Sequence, residues 1–453
     1  MFHRLLIANR GEVAVRIARA CRTLGVSPIG VASQADRDAS WTRAFDDLVV
    51  LGPAAAENSY LDMQRLVQAA RQTHASAVHP GWGFLAENQR FAALCRQHGI
   101  AFVGPKSGVM RTMGVKSPAK AAMKAAGLDV VPGSDGPLPD LDSAAHVAKD
   151  VGYPVILKAD FGGGGRGMRL CHDEGQLREA FAAATGEAEK AFGSGSIYLE
   201  RYLTGGRHIE VQILCDHFGN GVHLGERECS VQRKHQKLVE ESPSPALSAQ
   251  ERAELGERAV RAALAVGYEN AGTIEFLRAT TGEIYFMEMN TRLQVEHPVT
   301  EEVTGVDIAA KQIEIAANRP LGLTQADVRF EGHAIECRIN AEDPEADFRP
   351  SPGRLKAFAF GDGEGPGTIR VETHLEAGDE VAPHYDSLIA KVISHGKTRD
   401  EAIATMVRSL SAAKVEGVHT TIPLHLAVLE SEAFRSGDYD TQAIPGWPKG
   451  ATS

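Results

Sequence analysis

The chain has 453 residues, 43% of them hydrophobic, with 48 basic and 59 acidic side chains and a net charge of −11. At roughly 100–200 residues per domain this length implies about three domains. The acidic balance argues against a nucleic-acid or membrane-surface partner, while leaving room for a local basic pocket that holds an anionic substrate.

Leu5 to Ala8 is apolar enough for a buried strand, Asn9-Arg-Gly11 for a turn, and Val13, Ile17, Ala20 and Cys21 follow helical spacing as far as Thr23. Ser27 to Ala32 is the next strand. The grammar repeats: a strand over 48–51, a helix over 62–73, a strand over 77–79, a helix over 87–98 and a strand over 101–103. Such βαβ order predicts a parallel sheet covered on both faces, with ligands beyond the C-terminal ends of its strands. Asn9-Arg-Gly11 and His79-Pro-Gly-Trp-Gly-Phe84 fall at such ends, as ligand loops or as plain tight turns. The apolar stretch at the N-terminus is too short for a signal segment, and no run approaches the ~18 apolar residues of a membrane span. Cys21, Cys95, Cys171, Cys215, Cys229 and Cys337 show no Cys-x-x-Cys spacing, and several sit in apolar runs. They read as reduced thiols of a cytoplasmic protein.

A helical region is expected over 109–126, with Lys116 facing either a ligand or solvent. Met123-Lys124 resembles a biotin-attachment pair, but it lies on an Ala-rich helical stretch and is not followed by Met, so that role is rejected. Pro132 to Pro139 reads as a linker. A small lobe follows: a strand over 154–157 ending at Lys158, then the glycine run 162–167, including Gly164 and Gly165. The run matches G-x-G-x-x-G literally, yet Met168 to Cys171 reads as a strand where the dinucleotide fingerprint requires a helix. Glycines that expose backbone N–H groups suit phosphate oxygens, and Lys158 could add a point charge; a floppy surface loop is the other reading.

Ile197 to Leu203 closes the lobe with a turn suited to an adenine edge. In Gly206 to Leu214, alternation puts His208, Glu210 and Gln212 on one face. The segment 226–237 gathers Arg233, Lys234, His235 and Lys237, as a solvated loop or as an anion-gathering one. An amphipathic helix is expected over 248–266.

Gly272 to Leu277 and Ile284 to Met289 are strand candidates around Thr281-Gly282. A two-residue loop there would pair Glu275 directly with Glu288. Glu288, Asn290 and Arg292 would share a working face, and Met287 and Met289 a buried one. Like charges directly opposite destabilise a sheet pair. A divalent cation with phosphate oxygens would offset them, as would a neighbouring Lys or Arg. Further on, His333 to Asn340 alternates with Glu336, Arg338 and Asn340 on one face, as in a strand lining a cleft. Segments 353–381 and 387–394 are mostly strand-like, 399–413 is a helix, and 448–453 look frayed.

Several long motifs, in order, resemble the biotin carboxylase family, the ATP-grasp component of biotin-dependent carboxylases: Leu5-Leu-Ile-Ala-Asn-Arg-Gly-Glu12, His79-Pro-Gly-Trp-Gly-Phe-Leu-Ala-Glu-Asn88, Gly162 to Met168, Arg233-Lys-His-Gln-Lys237, Glu288 to Thr300 and Glu336 to Pro344. The resemblance implies an α/β, three-domain ATP-grasp architecture. Its parts would be an N-terminal Rossmann-like parallel sheet (1–114), an ATP-grasp unit (115–330) with a Gly-rich lid subdomain (about 131–203), and a C-terminal α+β domain (331–446). It implies that ATP and bicarbonate yield carboxyphosphate, whose carboxyl group passes to biotin on a carrier protein. By matching positions, Lys116, Lys158, Gly164, Gly165, Glu200, Arg201, Tyr202, Leu203, His208, Gln232, His235, Glu275 and Glu288 would bind ATP. Glu275, Glu288 and Asn290 would hold Mg²⁺ or Mn²⁺. Lys237, Arg292, Gln294 and Val295 would bind bicarbonate, Glu296 would deprotonate it, and Arg338 would stabilise the biotin enolate, with Trp82 on the biotin side.

Three departures from the family pattern stand out: Trp82 replaces Tyr, Arg201 replaces Lys, and Asp160-Phe161 replaces small residues. They bear on biotin affinity and lid motion, not on the reaction class. The implied partners are a carrier protein and carboxyltransferase subunits, most often those of acetyl-CoA carboxylase in fatty acid synthesis, and a second copy in a homodimer. Without an Ala-Met-Lys-Met segment the sequence reads as a stand-alone subunit or as the N-terminal part of a longer pyruvate or propionyl-CoA enzyme. The alternatives are a carbamoyl phosphate synthetase half and a catalytically silent ATP-binding subunit.

Overall fold

The N-terminal βαβ grammar builds a five-stranded sheet. Its strands run Asp47–Gly52, Ser27–Ser33, Arg4–Ile7, Ala77–His79 and Ala101–Phe102 across the sheet, every pair parallel. The computed structural model describes residues 1–160, 168–363 and 365–447. Chain order reverses between Arg4–Ile7 and Ala77–His79, the place where a parallel sheet opens a crevice. Both turns singled out in the sequence lie there. Asn9 Nδ2 donates to the carbonyls of Pro80 and Trp82, each at 2.7 Å, tying one turn to the other. Helix Gly11–Thr23 buries Val13, Ala14, Ile17 and Cys21 against Leu5 and Ile7.

The helical region expected over 109–126 is two helices, Ser107–Met113 and Lys116–Ala125, interrupted at Gly114-Val115. The lobe that follows is a three-stranded antiparallel sheet, Arg169–Cys171, Val155–Ala159 and Ile197–Arg201. It packs on helices Leu141–Val151 and Glu174–Phe192, which the sequence reading passed over. Their buried faces are mostly alanine, including Ala144, Ala148, Ala184 and Ala188, so the apolar period is faint. The segment 132–139 does more than link. Gly133 bridges to Glu200, and a Cβ at Gly133 would lie 2.2 Å from the Leu199 carbonyl oxygen.

The centre of the molecule is one eight-stranded sheet. Its order is Ile284–Asn290, Asn270–Arg278, Arg207–Cys215, Gly221–Arg233, Gln236–Ser242, His333–Asn340, Leu388–Gly396 and Thr368–Thr373. The third unit thus extends the sheet of the second, because Gln236–Ser242 pairs with His333–Asn340. Alternation holds as read: Ile209, Val211 and Ile213 enter one core, Ile335, Cys337 and Ile339 another, and the polar residues between them face the opposite way. The cationic segment is a hairpin and not a loop. Lys234 and His235, at φ +47 and +67, turn strand Gly221–Arg233 into strand Gln236–Ser242.

The hairpin Asn270–Arg278/Ile284–Asn290 corrects the expected register argument. Ala279 N–H donates to the Glu283 carbonyl at 2.8 Å, so the loop is Thr280-Thr281-Gly282, three residues and not two. That loop would have slipped Glu275 off Glu288. A β-bulge at Met287 inserts one residue and restores the pair, and Glu275 faces Glu288 directly. The bulge also overturns the expected apolar face. Phe286 and Met289 are in the core, while Met287 is 39% exposed.

All six cysteines are buried and unpaired, and burial pushes Cys21, Cys95 and Cys215 up to about 12. No helix among the described residues is long and apolar enough to cross a membrane.

Candidate active site

Between the lobe, the hairpin and the central sheet lies a cavity of about 1590 Å³. Lys116, Lys158, Glu200, Arg201, Tyr202, Leu203, His208, Gln232, His235, Lys237, Glu275, Glu288, Asn290, Arg292, Gln294, Val295, Glu296, Arg338 and Trp82 all line it. These positions span more than half the sequence, so only the folded chain assembles them. Gly164, Gly165 and Phe161 lie outside the described residues, as do 448–453.

The lobe side of the cavity has an apolar wall containing Ile156, Leu170, Leu277 and Met287. Beside it Glu200 takes Lys158 at 2.5 Å and Lys120 at 2.6 Å. Burial opposes the Glu200 charge, but the two lysines hold its carboxyl below the usual range.

The floor is a ladder of buried charges. Lys237 Nζ donates to Glu210 at 2.6 Å, Glu275 at 3.0 Å and Glu296 at 2.6 Å. Arg338 bonds Glu296 at 2.9 Å with its terminal nitrogen and Glu240 at 2.6 Å with Nε. Arg227, fully buried, pairs with Glu210 and donates to Gln212 and Thr300 at 2.9 Å each. Burial disfavours the Glu296 charge, yet Lys237 and Arg338 hold its carboxyl well below the ordinary value. Glu275 is likewise held low against burial by Lys237 and His208, whose Nε2 lies 3.0 Å away. Glu288 goes the other way: burial and then its neighbour Glu275 push it up.

Buried carboxylates gather in two further triads among the described residues, His208–Glu210–Glu275 and Glu210–Cys229–Glu296. The Lys237 ammonium is bonded to Glu210, Glu275 and Glu296. It therefore supplies the positive charge these triads need. The Glu275–Glu288 pair fits a divalent cation better. Glu288 is repelled by its partner across the strands and faces the cavity. Asn290 fits less directly. Its amide nitrogen donates to Glu275 at 2.7 Å, and its oxygen accepts from Arg292 at 3.1 Å.

Arg292 bonds Glu87 at 3.0 Å through Nε and Gln294 Oε1 at 3.0 Å. Gln294 Nε2 is a buried donor with no protein partner among the described residues. A buried unsatisfied donor beside Arg292, in a cavity that Lys237 also lines, suits a small oxyanion.

The sequence matches three family models. Residues 1–110 match the biotin carboxylase N-terminal domain, 116–324 the carbamoyl-phosphate synthase L chain ATP binding domain, and 336–446 the biotin carboxylase C-terminal domain. Biotin carboxylase 1 of Bacillus subtilis is 50% identical over 445 residues, covering 98% of both chains.

The chain belongs to the biotin carboxylase family.

A pyruvate carboxylase subunit of Methanothermobacter thermautotrophicus is 47% identical, over 99% of this chain and 91% of that one. The biotin carboxylase domain dimer of Hydrogenobacter thermophilus 2-oxoglutarate carboxylase, solved with MgADP, ADP and bicarbonate, matches at a TM-score of 0.92. It is 46% identical, covering 98% of this chain and 97% of that one. The architecture is the three-domain ATP-grasp one expected from the motifs.

Within this biotin carboxylase fold several charged residues escaped the sequence reading. Glu87 lies inside the 79–88 motif and grips both Arg292 and the Thr291 N–H, at 3.0 Å each. Arg227, Glu240 and Lys391 are charges at inward positions of strands. The available signal was a polar residue at an alternating site in an otherwise apolar strand, which a single sequence cannot separate from a solvated face.

Proposed function

We propose that the protein is a biotin carboxylase: it uses ATP and bicarbonate to carboxylate biotin on a carrier protein, through carboxyphosphate. The observation that carries this reading is Glu296, a fully buried carboxylate held ionised between Lys237 and Arg338, beside the unpaired Gln294 donor and Arg292. Bicarbonate is a poor nucleophile, and a positioned carboxylate that takes its proton improves it. In the unliganded site two cations make Glu296 a weak base. An anion drawn between Lys237, Arg292 and Gln294 shares Lys237 with Glu296 and raises the basicity of that carboxylate. The same cations spread the charge that builds up when an anion attacks a polyphosphate. Mg²⁺ or Mn²⁺ on Glu275 and Glu288, when bound, supplies further neutralisation of phosphate charge. Arg338 then faces the enolate of biotin, and Trp82 walls the acceptor side.

The lid subdomain at about 131–203, the other proposed boundaries (114/115 and 330/331), cytoplasmic location, homodimerisation and association with carboxyltransferase subunits complete the proposal. Acetyl-CoA carboxylase is the assembly read from the sequence. The relative named as part of a pyruvate carboxylase favours a keto-acid carboxylase as the second reading. The test of activity is bicarbonate-dependent ATP hydrolysis, raised by free biotin and lost in Glu296→Ala and Arg338→Ala. Stimulation by ammonia in place of biotin, or no turnover with bicarbonate and biotin, overturns the proposal. Co-purification with a biotinylated carrier, identified by its carboxyltransferase, decides between the two assemblies.

A further inference from the structure

Beside the loop that carries Gln294 and Glu296 lies an ion pair that, among the described residues, touches none of the groups assigned to ATP. Glu12 stands in the first turn of helix Gly11–Thr23 and is 3% exposed. Lys391 stands in strand Leu388–Gly396 and is fully buried. Lys391 Nζ lies 3.2 Å from Glu12 Oε2 and donates to the Val295 carbonyl at 2.8 Å. Glu12 Oε1 accepts from the Trp82 indole N–H at 3.1 Å. Lys391 is also the direct cross-strand partner of Arg338. One buried pair thus links a turn of the N-terminal sheet, the strand beside Arg338 and the loop that carries Gln294 and Glu296.

A buried ion pair is seldom the most stable filling for its volume, since desolvation of both charges offsets much of their attraction. Its distinctive property is direction. Each partner orients the other, with Glu372 across from Lys391 on the neighbouring strand, and each has hydrogen-bonding capacity left for further groups. Here those groups are the Trp82 indole, on the cavity wall, and the Val295 carbonyl, one residue from Glu296. We propose that Glu12 and Lys391 are positioning residues for carboxyl transfer, holding the Trp82 wall and the Gln294–Glu296 loop in one register so that the biotin ring meets the carboxyl donor. This rests on the biotin carboxylase reading given above.

The test compares Glu12→Gln, Lys391→Met, their double variant and Trp82→Phe in the full chain, with free biotin as acceptor. Trp82→Phe keeps one aromatic ring and removes the donor together with the pyrrole part of the indole, while leaving both buried charges in place, so it reports even where a buried-charge variant folds poorly. The expected result is a fall of about tenfold or more in kcat/KM for biotin in each single variant, as for a small misplacement of reacting groups. KM for ATP moves by less than about twofold. The double variant is no worse than the poorer single one, because both residues act through one pair. Wild-type kcat/KM for biotin in Glu12→Gln and Trp82→Phe overturns the inference. So does an equal loss toward ATP and biotin, which is the mark of a general structural defect. Absence of biotin carboxylation by the wild-type protein would instead overturn the functional reading on which it rests.

Discussion

Replacing Lys237 by Met removes the cation that three buried carboxylates share. At an effective dielectric of about 20, each contact of the kind Lys237 makes, at 2.6–3.0 Å, is worth ~6 kcal/mol before desolvation is counted. Most of that is offset by burying the charges, and removing one partner of a buried pair costs about 3–5 kcal/mol because the remaining charge is left uncompensated. Lys237→Met is therefore expected to lose about 3–5 kcal/mol of stability near neutral pH. The pH dependence carries the sign of the argument. In the wild type, Glu275 and Glu296 are held below 4.5, so the stability they give is full above 4.5 and is lost as pH falls through their lowered values. Without Lys237 the carboxyls it holds rise, Glu210 above all, since burial already pushes it above 4.5, and the folded variant takes up protons that the unfolded chain does not. Its deficit then shrinks as the pH is lowered. Urea unfolding followed by tryptophan fluorescence at about pH 7.5 and about pH 5 measures both quantities. A deficit that is equal or larger at the lower pH, or no deficit at all, would refute the shared-cation account.

Glu241 sits buried between His333 at 2.6 Å and Arg399 at 2.7 Å, and despite burial these partners hold its carboxyl down at about 2. A fall from 4.5 to about 2 corresponds to ~3 kcal/mol, present above pH 4.5 and lost as pH falls toward about 2; Glu241→Gln should remove it in neutral urea titrations and cost nothing at the acid end. Glu87→Gln loosens Arg292 and should raise KM for bicarbonate about three- to tenfold with less effect on ATP, as steady-state kinetics would report. Glu275→Gln and Glu288→Gln should each weaken activation of ATP hydrolysis by Mn²⁺ about tenfold or more, and an unchanged Mn²⁺ titration would remove that pair from the metal site.

The parallel N-terminal sheet was legible because period-2 and period-3.6 patterns alternate plainly there, and the inward faces of Arg207–Cys215 and His333–Asn340 followed from strict alternation. The long motifs contain Trp82, Lys237, Arg292, Gln294, Glu296 and Arg338 of the cavity lining, while its wall at 440–444 and Trp447 was not read from the sequence. The two lobe helices were missed because alanine faces carry little apolar contrast. The Glu275–Glu288 pair was expected for a reason that fails: the loop has three residues, and only the Met287 bulge restores the register. A bulge is set by packing on both sides of a strand, so a one-dimensional pattern does not announce it. What the sequence by itself determined is which residue types face inward on the regularly alternating elements, such as Arg207–Cys215 and His333–Asn340, since that depends on local period and motif. What the tertiary structure alone decided is which charges meet. Lys237 shares three carboxylates, and Lys391 joins Glu12 to the Val295 carbonyl, because strands and helices distant in the chain close over one cavity, where a buried charge needs a partner.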